Sequence, residues 1–224
     1  MSRRTLAIGD IHGCAAALAA ILTAIDPQPD DQIVTLGDYI DRGPDSPQVL
    51  EQLIQLKAQG ILVPLLGNHE IMMLVARDEP SELDFWLLNG GQETLSAYGG
   101  TLAQVPAAHM EFLQGCVRFH ETESHLFVHA NYIPSLPLEK QPEFVLFWEH
   151  LSQHFPAPHY SGKIAVLGHT PQRFNQILRR DHLICLDTNC CGRGCLSALD
   201  VDSGQLWQSD ASGTLLPSSQ APDS

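Results

Sequence analysis

The chain has 224 residues, 44% hydrophobic and 17% charged, with a formal net charge of −14. This length and composition predict one globular domain over residues 1–210 and a flexible tail over 211–224. The acidic excess argues against a nucleic-acid-binding protein, which would carry a basic face. No apolar run reaches the roughly 18–20 residues of a membrane span, which argues against a membrane protein.

The cellular location is predicted from the N-terminus. The apolar run that follows the first arginines ends at Gly9-Asp10, which is too short for a signal peptide. We therefore expect a cytoplasmic protein, and in such a protein the six cysteines are expected to be free thiols.

Strands and helices alternate in the first third of the chain. Short apolar runs that predict buried strands lie at residues 5–10, 32–38 and 61–68. Between them, apolar residues spaced by three and four predict helices at 14–25 and 46–60, the second with Ser46 as its N-cap. This alternation is typical of βαβ units with a largely parallel sheet.

The rest of the chain is less regular. Residues 71–125 are predicted to be helical in parts. Further strands are predicted at residues 126–130, 164–170, 182–188 and 196–208, the last interrupted by an Asp-Ser-Gly turn.

Polar side chains follow five of these strands. They are Asp10 with His12, Asp38, Asn68, His129 and His169. Taken singly, Asp and Asn are ordinary turn residues. Because ligands of open α/β sheets gather beyond the carboxyl ends of strands, these side chains are expected to converge. Carboxylate, imidazole and amide oxygen suit divalent ions such as Mn²⁺, Fe²⁺ or Zn²⁺.

Two such ions could share one aspartate, clamp a phosphoryl group and deprotonate a bridging water. Three residues near the strand ends suggest further roles. The Arg42 fork matches phosphate oxygens. His69, directly after Asn68, could protonate a leaving alcohol oxygen with Asp41 orienting it. The alternative is a purely structural His69–Asp41 pair.

Five segments together resemble the PPP-type metallophosphoesterases, the serine/threonine phosphoprotein phosphatases and their bacterial relatives. The segments are GDIHG (9–13), GDYIDRG (37–43), GNHE (67–70), VHA (128–130) and GHT (168–170). WLLNGG (86–91) also looks like a segment of the bacterial phosphatases. The resemblance implies an α/β fold, a β-sandwich of two mixed sheets flanked by helices with a dinuclear centre at one edge.

The resemblance also implies residue roles. Asp10 and His12 fall at the first metal, Asp38 at the bridging position, and Asn68, His129 and His169 at the second metal. His69 is similar to the general acid, Asp41 to its partner, and Arg42 to a phosphate-binding arginine.

The implied cofactors are two divalent ions, with Mn²⁺ expected and Fe or Zn as alternatives. The implied reaction is hydrolysis of phosphomonoesters, by attack of a metal-bridging hydroxide. The expected substrates are proteins phosphorylated at serine or threonine, with tyrosine as a further candidate, or small phosphoesters.

Two other functions stay open. Symmetrical diadenosine tetraphosphate hydrolases resemble this chain but typically lack an aspartate at the place of Asp41. A catalytically silent metal-binding scaffold is the third alternative, and the intact set of candidate ligands argues against it.

Two features depart from a simple assignment. Many family members carry a further phosphate-binding arginine where this chain has LFWEHLSQH (146–154), and His150 stands near that place. His150 could contact substrate or be a packed core residue.

The segment CCGRGC (190–195) is interpreted as a tight glycine-rich loop with incidental thiols, and metal binding or oxidation sensing is the alternative.

Overall fold

The computed structural model describes residues 3–217; residues 218–224 of the predicted tail lie outside the described part of the chain. The strands are β1 (Thr5–Ile8), β2 (Gln32–Thr35), β3 (Leu62–Pro64), β4 (Phe119–Glu121), β5 (His125–Val128), β6 (Ile164–Leu167), β7 (Leu178–Arg180), β8 (Leu183–Cys185), β9 (Leu196–Asp200) and β10 (Leu206–Ser209). The α-helices are α1 (Ala15–Ile25), α2 (Ser46–Ala58), α3 (Asn68–Asp78), α4 (Leu83–Trp86), α5 (Gln92–Ala97), α6 (Ala107–Gln114) and α7 (Glu143–Phe147). A π-helical turn, Leu87–Gly91, joins α4 to α5, and short 3₁₀ turns lie at Pro80–Glu82, Leu102–Gln104 and Leu138–Lys140.

The ten strands form two mixed sheets. The first has the order β10-β9-β1-β2-β3, with β1, β2 and β3 parallel to one another and β9 antiparallel to its neighbours. The second has the order β4-β5-β6-β8-β7, with β5, β6 and β8 parallel and antiparallel strands at both edges. Among the strands of residues 3–217, parallel ladders therefore join three strands in each sheet.

The two sheets pack face to face. Successive side chains of a strand point to opposite faces. Accordingly Ala7 and Val34 of the first sheet pack with Phe127, Val166 and Ile184 of the second in one apolar cluster. This cluster is the interior of the sandwich.

The outer face of each sheet is covered by helices. On the first sheet, Leu6 and Ile8 share an apolar cluster with residues of α1, α2, α3 and α6, among them Ile21 and Leu53. On the second, Leu126 shares a cluster with residues of α7. The layers confirm the predicted fold, a β-sandwich of two mixed sheets flanked by helices.

Helix α2 begins differently from the prediction. Its N-cap is Asp45, whose carboxylate accepts a hydrogen bond from the Gln48 N–H at 3.1 Å, so the prediction of Ser46 was wrong. The Ser46 hydroxyl is buried and contacts the Thr94 hydroxyl at 2.9 Å instead. Aspartate and serine cap helices about equally well, and Asp45 and Ser46 are adjacent, so the sequence alone did not decide which of them is the N-cap.

After β10, Leu215 pairs with Ser209 in an isolated antiparallel bridge. Among residues 3–217, no helix has both the length and the apolar character that crossing a membrane requires.

Candidate metal centre and active site

The three parallel strands of each sheet deliver the candidate residues to one edge of the sandwich. Asp10 and Asp38 follow β1 and β2, and His129 and His169 follow β5 and β6. The two sets meet: His129 Nε2 lies 3.4 Å from an Asp38 oxygen. The backbone N–H of His169 donates to the Asp10 carboxylate at 2.9 Å. Residues more than 100 positions apart thus share one site.

One group of candidate ligands is formed by Asp38, Asn68, His129 and His169. The nearest ligand atoms of Asp38, His129 and His169 all lie within 4.8 Å of one another. His129 Nε2 is 3.0 Å from Asn68 Oδ1 and 3.1 Å from His169 Nδ1.

The outer nitrogens of these two histidines face carbonyl oxygens. His129 Nδ1 lies 2.7 Å from the Leu36 carbonyl, and His169 Nε2 lies 3.2 Å from the Trp148 carbonyl. Because a carbonyl only accepts, these nitrogens are assigned the ring hydrogens. Lone pairs of His129 Nε2, His169 Nδ1 and Asn68 Oδ1 therefore converge, and converging acceptors call for a cation.

A second group is formed by His12, Asp38 and His69, whose nearest ligand atoms also lie within 4.8 Å of one another. His12 Nδ1 faces the Ile40 carbonyl at 2.9 Å, which leaves Nε2 directed at Asp38, 3.5 Å away. Asp38 is therefore common to both groups. Within the described residues, the Asp10 carboxylate belongs to neither of these two groups of three. Both of its oxygens accept the His169 N–H, at 3.1 and 2.9 Å, which places it beside the first group.

The protonation states of these residues fit a divalent metal. Burial lowers the pKa of His12 and of His169 to about 3, so both are neutral and able to coordinate at neutral pH. Burial alone would raise the pKa of Asp38, but the surrounding imidazoles hold it below its usual range and keep the carboxylate ionised. Neutral imidazoles, an ionised carboxylate and an amide oxygen together fit divalent metal ions.

His69 forms a buried pair with Asp41. Their Nδ1 and Oδ2 atoms are 2.7 Å apart. Asp41 Oδ2 also accepts from Trp86 Nε1 at 2.8 Å, and Oδ1 accepts from the Thr94 hydroxyl at 2.8 Å. Three donors fix this fully buried carboxylate, and the carboxylate fixes the imidazole.

The other ring nitrogen of His69, Nε2, is buried and has no hydrogen-bond partner among the described residues. It lies 4.0 Å from Asp38. Burial lowers the pKa of His69, but the carboxylates of Asp38 and Asp41 outweigh burial and raise it above its usual value. The pair can thus present a proton on Nε2 to a group bound beside Asp38.

Arg42 is exposed at the rim of the site. Its backbone N–H donates to the Gly90 carbonyl at 2.9 Å, and its guanidinium lies 3.0 Å from His12 Nε2. Gly90 has a positive φ of 109°, and a Cβ there would approach Arg42 Cγ to 2.6 Å. The π-helical turn therefore packs closely against Arg42 because residue 90 is glycine, and it places the guanidinium where it can reach an anionic substrate.

The loops of the site are conformationally strained. Among residues 3–217, nine non-glycine residues have a positive φ, and five of them are candidate site residues: His12, Asp38, Asp41, Arg42 and His169. Left-handed backbone is unfavourable for most side chains and persists where the surroundings enforce it. Here backbone hydrogen bonds do so, such as those from the Ile11 and His12 N–H groups to the Asp38 carbonyl.

Glu70 is a functional residue that the sequence analysis did not single out. It is fully buried; one carboxylate oxygen accepts from the N–H groups of Asp38 at 2.8 Å and Gly67 at 3.0 Å. The other accepts from the Tyr39 N–H at 2.8 Å. Glu70 therefore holds the loop that carries Asp38 against the start of α3. The glutamate of the GNHE segment was the available signal.

Replacing Glu70 with glutamine is expected to destabilise the fold by about 2 kcal/mol or more, because the amide nitrogen leaves buried N–H donors without an acceptor. Denaturant unfolding of the variant measures this. Glu93→Gln, at an exposed glutamate, is the control and should unfold like the wild type. Equal stability of Glu70→Gln and wild type would contradict this role for Glu70.

Asp187 is a second residue of the site region that none of the sequence motifs contains. It follows β8 as Asp10 follows β1, and the same strand-end pattern could have found it. Its side chain is buried, and burial raises its pKa to about 6. The contacts of Trp86 and Thr94 with Asp41 were also missed, although Trp86 begins the WLLNGG segment; no local pattern shows that a side chain pairs with one 45 or 53 positions away.

His150 lies beside the first group of candidate ligands, the one that contains His169. Its ring is tilted 36° to the ring of His169, with centroids 4.3 Å apart, and it is half-buried. This position places it at the site and leaves both of its interpretations open, substrate contact and packing.

Residues 3–197 match the family model described as calcineurin-like phosphoesterase. Serine/threonine-protein phosphatase 1 of Salmonella typhimurium is 43% identical over 91 residues, which cover 40% of this chain and 39% of that protein. The symmetrical bis(5′-nucleosyl)-tetraphosphatase of Coxiella burnetii is 29% identical over 185 residues, covering 79% of this chain and 57% of that protein. The matches thus span between about two fifths and three fifths of these relatives.

Among solved structures, the chain is similar to a candidate diadenosine tetraphosphatase with a TM-score of 0.71. The sequence identity is 22%, and the superposition covers 99% of this chain and 96% of that one. At this identity, the likeness concerns the fold.

Proposed function

The chain belongs to the calcineurin-like phosphoesterase family, and on this premise we propose that it is a metal-dependent phosphomonoesterase acting on phosphoproteins. Membership in this family confirms the resemblance to the PPP-type metallophosphoesterases that the sequence motifs indicated. The proposed substrates are phosphoserine and phosphothreonine proteins, with phosphotyrosine proteins and small phosphoesters as further candidates. Nucleic acids and membranes have no part in the proposal, and the cytoplasmic location stays a prediction.

The His69–Asp41 pair carries the proposal. Serine and threonine are poor leaving groups as alkoxides, so cleavage of their phosphate esters benefits from a proton donor. The imidazole, held 2.7 Å from a carboxylate that is itself fixed by Trp86 and Thr94, is placed to be that donor. A nucleotide phosphate is a good leaving group and gains little from such a donor.

The remaining residues are assigned by position. Asp10, His12, Asp38, Asn68, His129 and His169 would hold two divalent cations, for which we propose Mn²⁺, with Fe or Zn as alternatives. When bound, these cations supply Lewis-acid stabilisation and an activated water. Arg42 binds phosphate oxygens from the rim and stabilises their charge during transfer. His69 protonates the departing oxygen, and Asp41 keeps its ring in place.

Hydrolysis of diadenosine tetraphosphate is the second candidate. One observation favours it: the similarity to the Coxiella burnetii tetraphosphatase extends over 79% of this chain, against 40% for the Salmonella typhimurium phosphatase. Both enzymes would use the same candidate metal ligands, so the choice depends on substrate preference.

A single assay series with Mn²⁺ compares the two candidates. It measures kcat/KM on phosphoserine, phosphothreonine and phosphotyrosine peptides and on diadenosine tetraphosphate, with phosphate release and ADP release as readouts. We expect at least one peptide to be preferred over the dinucleotide by about tenfold or more, which corresponds to about 1.4 kcal/mol in transition-state binding.

Asp10→Asn serves as the blank in this series, because a contaminating phosphatase would survive the substitution. Preference for the dinucleotide, with ADP as product, would move the assignment to nucleotide hydrolysis. It would also show that the His69–Asp41 pair is compatible with a substrate that does not need a proton donor.

A further inference from the structure

The segment that packs against Arg42 also carries two exposed apolar side chains. Leu88, in the π-helical turn, is 87% exposed, and Phe85, in α4, is 51% exposed. They are three positions apart on helical backbone, so their side chains lie on one face. Single exposed apolar residues are ordinary on a protein surface, whereas neighbouring ones beside a candidate active site are typical of an interaction site.

This segment is fastened to the candidate active site on both sides of Leu88. Before it, Trp86 Nε1 donates to the Asp41 carboxylate at 2.8 Å. After it, the Gly90 carbonyl accepts from the Arg42 N–H at 2.9 Å. The backbone that presents the apolar pair is thus already ordered by contacts with the site, so a ligand that binds there loses little affinity to ordering it.

The apolar pair is within reach of a substrate held at Arg42. Leu88 is two residues from Gly90, and consecutive Cα atoms are about 3.8 Å apart, so Leu88 lies within about 8 Å of the backbone that Arg42 contacts. An extended peptide advances about 3.3–3.6 Å per residue. A peptide with its phosphate at Arg42 would therefore reach Leu88 and Phe85 with residues about two to four positions from the phosphorylated one.

The charge around the apolar pair selects the kind of peptide. Residues 78–88 contain four acidic residues and no lysine or arginine. Asp78 is paired with Arg77, whereas Glu82 and Asp84 are exposed directly before Phe85. Such a surface attracts lysine and arginine side chains and repels acidic segments and anionic lipid surfaces. The occupant that fits is therefore a peptide with both apolar and basic residues.

We propose that these apolar and acidic side chains form a docking surface for the residues that flank the phosphate of a substrate. The docking surface consists of Glu82, Asp84, Phe85 and Leu88. It rests on the proposed function and narrows its substrate class to phosphoproteins with apolar and basic residues within about four positions of the phosphorylated one. Because these contacts lie outside the reacting groups, they should lower KM more than they raise kcat.

The experiment uses the metal-loaded protein and three phosphoserine peptides of equal length. The first carries leucine and arginine within four positions of phosphoserine on both sides. In the second, glutamate replaces arginine, and in the third, serine replaces leucine. We expect kcat/KM on the first peptide to exceed that on either of the others by about tenfold or more, mainly through KM.

The apolar part of the docking surface is tested by the double variant Phe85→Ala, Leu88→Ala. The readout is kcat/KM on the first peptide divided by kcat/KM on p-nitrophenyl phosphate, which has no flanking residues. This ratio should fall by about tenfold in the double variant. Phe144→Ala is the matched control, since Phe144 is 61% exposed on α7 and should leave the ratio at its wild-type value.

The acidic part is tested by Asp84→Lys, which should narrow the preference for the arginine peptide over the glutamate peptide by about threefold or more. Glu123→Lys changes the net charge by the same amount. Glu123 is exposed just before β5, at the end of that strand away from His129, so this control should keep the wild-type preference.

The outcomes separate the docking surface from the proposed function. Equal kcat/KM on the three peptides, or equal ratios in the double variant and in Phe144→Ala, would overturn the docking surface and leave the proposed function in place. Turnover of diadenosine tetraphosphate without turnover of any peptide would overturn both.

Discussion

Replacing Asp38 with asparagine is expected to remove bound metal and to lower kcat by roughly a factor of 10³ or more, because this carboxylate is common to both groups of candidate ligands. Asparagine keeps the backbone geometry, since it tolerates the left-handed φ of 52° at this position. The change therefore removes the negative charge that faces His12, His69 and His129 and leaves the loop in place. Metal analysis of the purified variant and steady-state kinetics on p-nitrophenyl phosphate measure the two effects.

Asp45→Asn is the matched control for this prediction. Asp45 lies in the same loop but is exposed and caps α2, a role that asparagine fills equally well. This variant should bind metal and turn over substrate like the wild type. A fully metal-loaded, active Asp38→Asn protein would show that Asp38 is not a shared ligand.

Replacing His69 with asparagine is expected to lower kcat on a phosphoserine peptide by about 10²–10⁴-fold, the usual contribution of a positioned general acid. The loss should be much smaller on p-nitrophenyl phosphate, whose nitrophenolate leaves without a proton. Metal content should stay close to that of the wild type, because the proposed role of His69 is proton transfer. Kinetics on the two substrates, together with metal analysis, measure all three expectations.

The position of His69 also fits a competing interpretation, in which it is a metal ligand. His69 shares a group of candidate ligands with His12 and Asp38, so it could bind metal directly. Loss of metal in His69→Asn, with equal losses on both substrates, would identify a ligand and contradict the general acid. His120→Asn, on edge strand β4, controls for the loss of an imidazole far from the strand ends that carry the site.

The convergence of the candidate residues could be predicted because its cause is local. Each buried strand is a short apolar run, and the polar residue that ends it is the next feature in the sequence. Parallel strands end at the same edge, so Asp10, Asp38 and Asn68 had to lie together once β1, β2 and β3 were recognised. His129 and His169 follow from the same argument in the second sheet.

Features that depend on distant partners could not be predicted in this way. Strands β4 and β7 have the sequences FHE and LRR, which show no apolar alternation. They form because each pairs with the neighbouring strand of the second sheet, β5 or β8. Trp86 contacts Asp41 only because α4 packs beside the loop. Glu70 stabilises its loop through backbone N–H groups, and every residue except proline offers such a group.

The positive φ angles at His12, Asp38, Asp41, Arg42 and His169 set stability and catalysis against each other. Each such residue costs about 1–3 kcal/mol in folding, and glycine or asparagine would relieve much of it. Yet the imidazole, carboxylate and guanidinium groups at these positions are the chemistry of the site. Relief of backbone strain is thus closed as a route to higher thermal stability at these five positions, and stabilising substitutions would have to be made elsewhere in the chain.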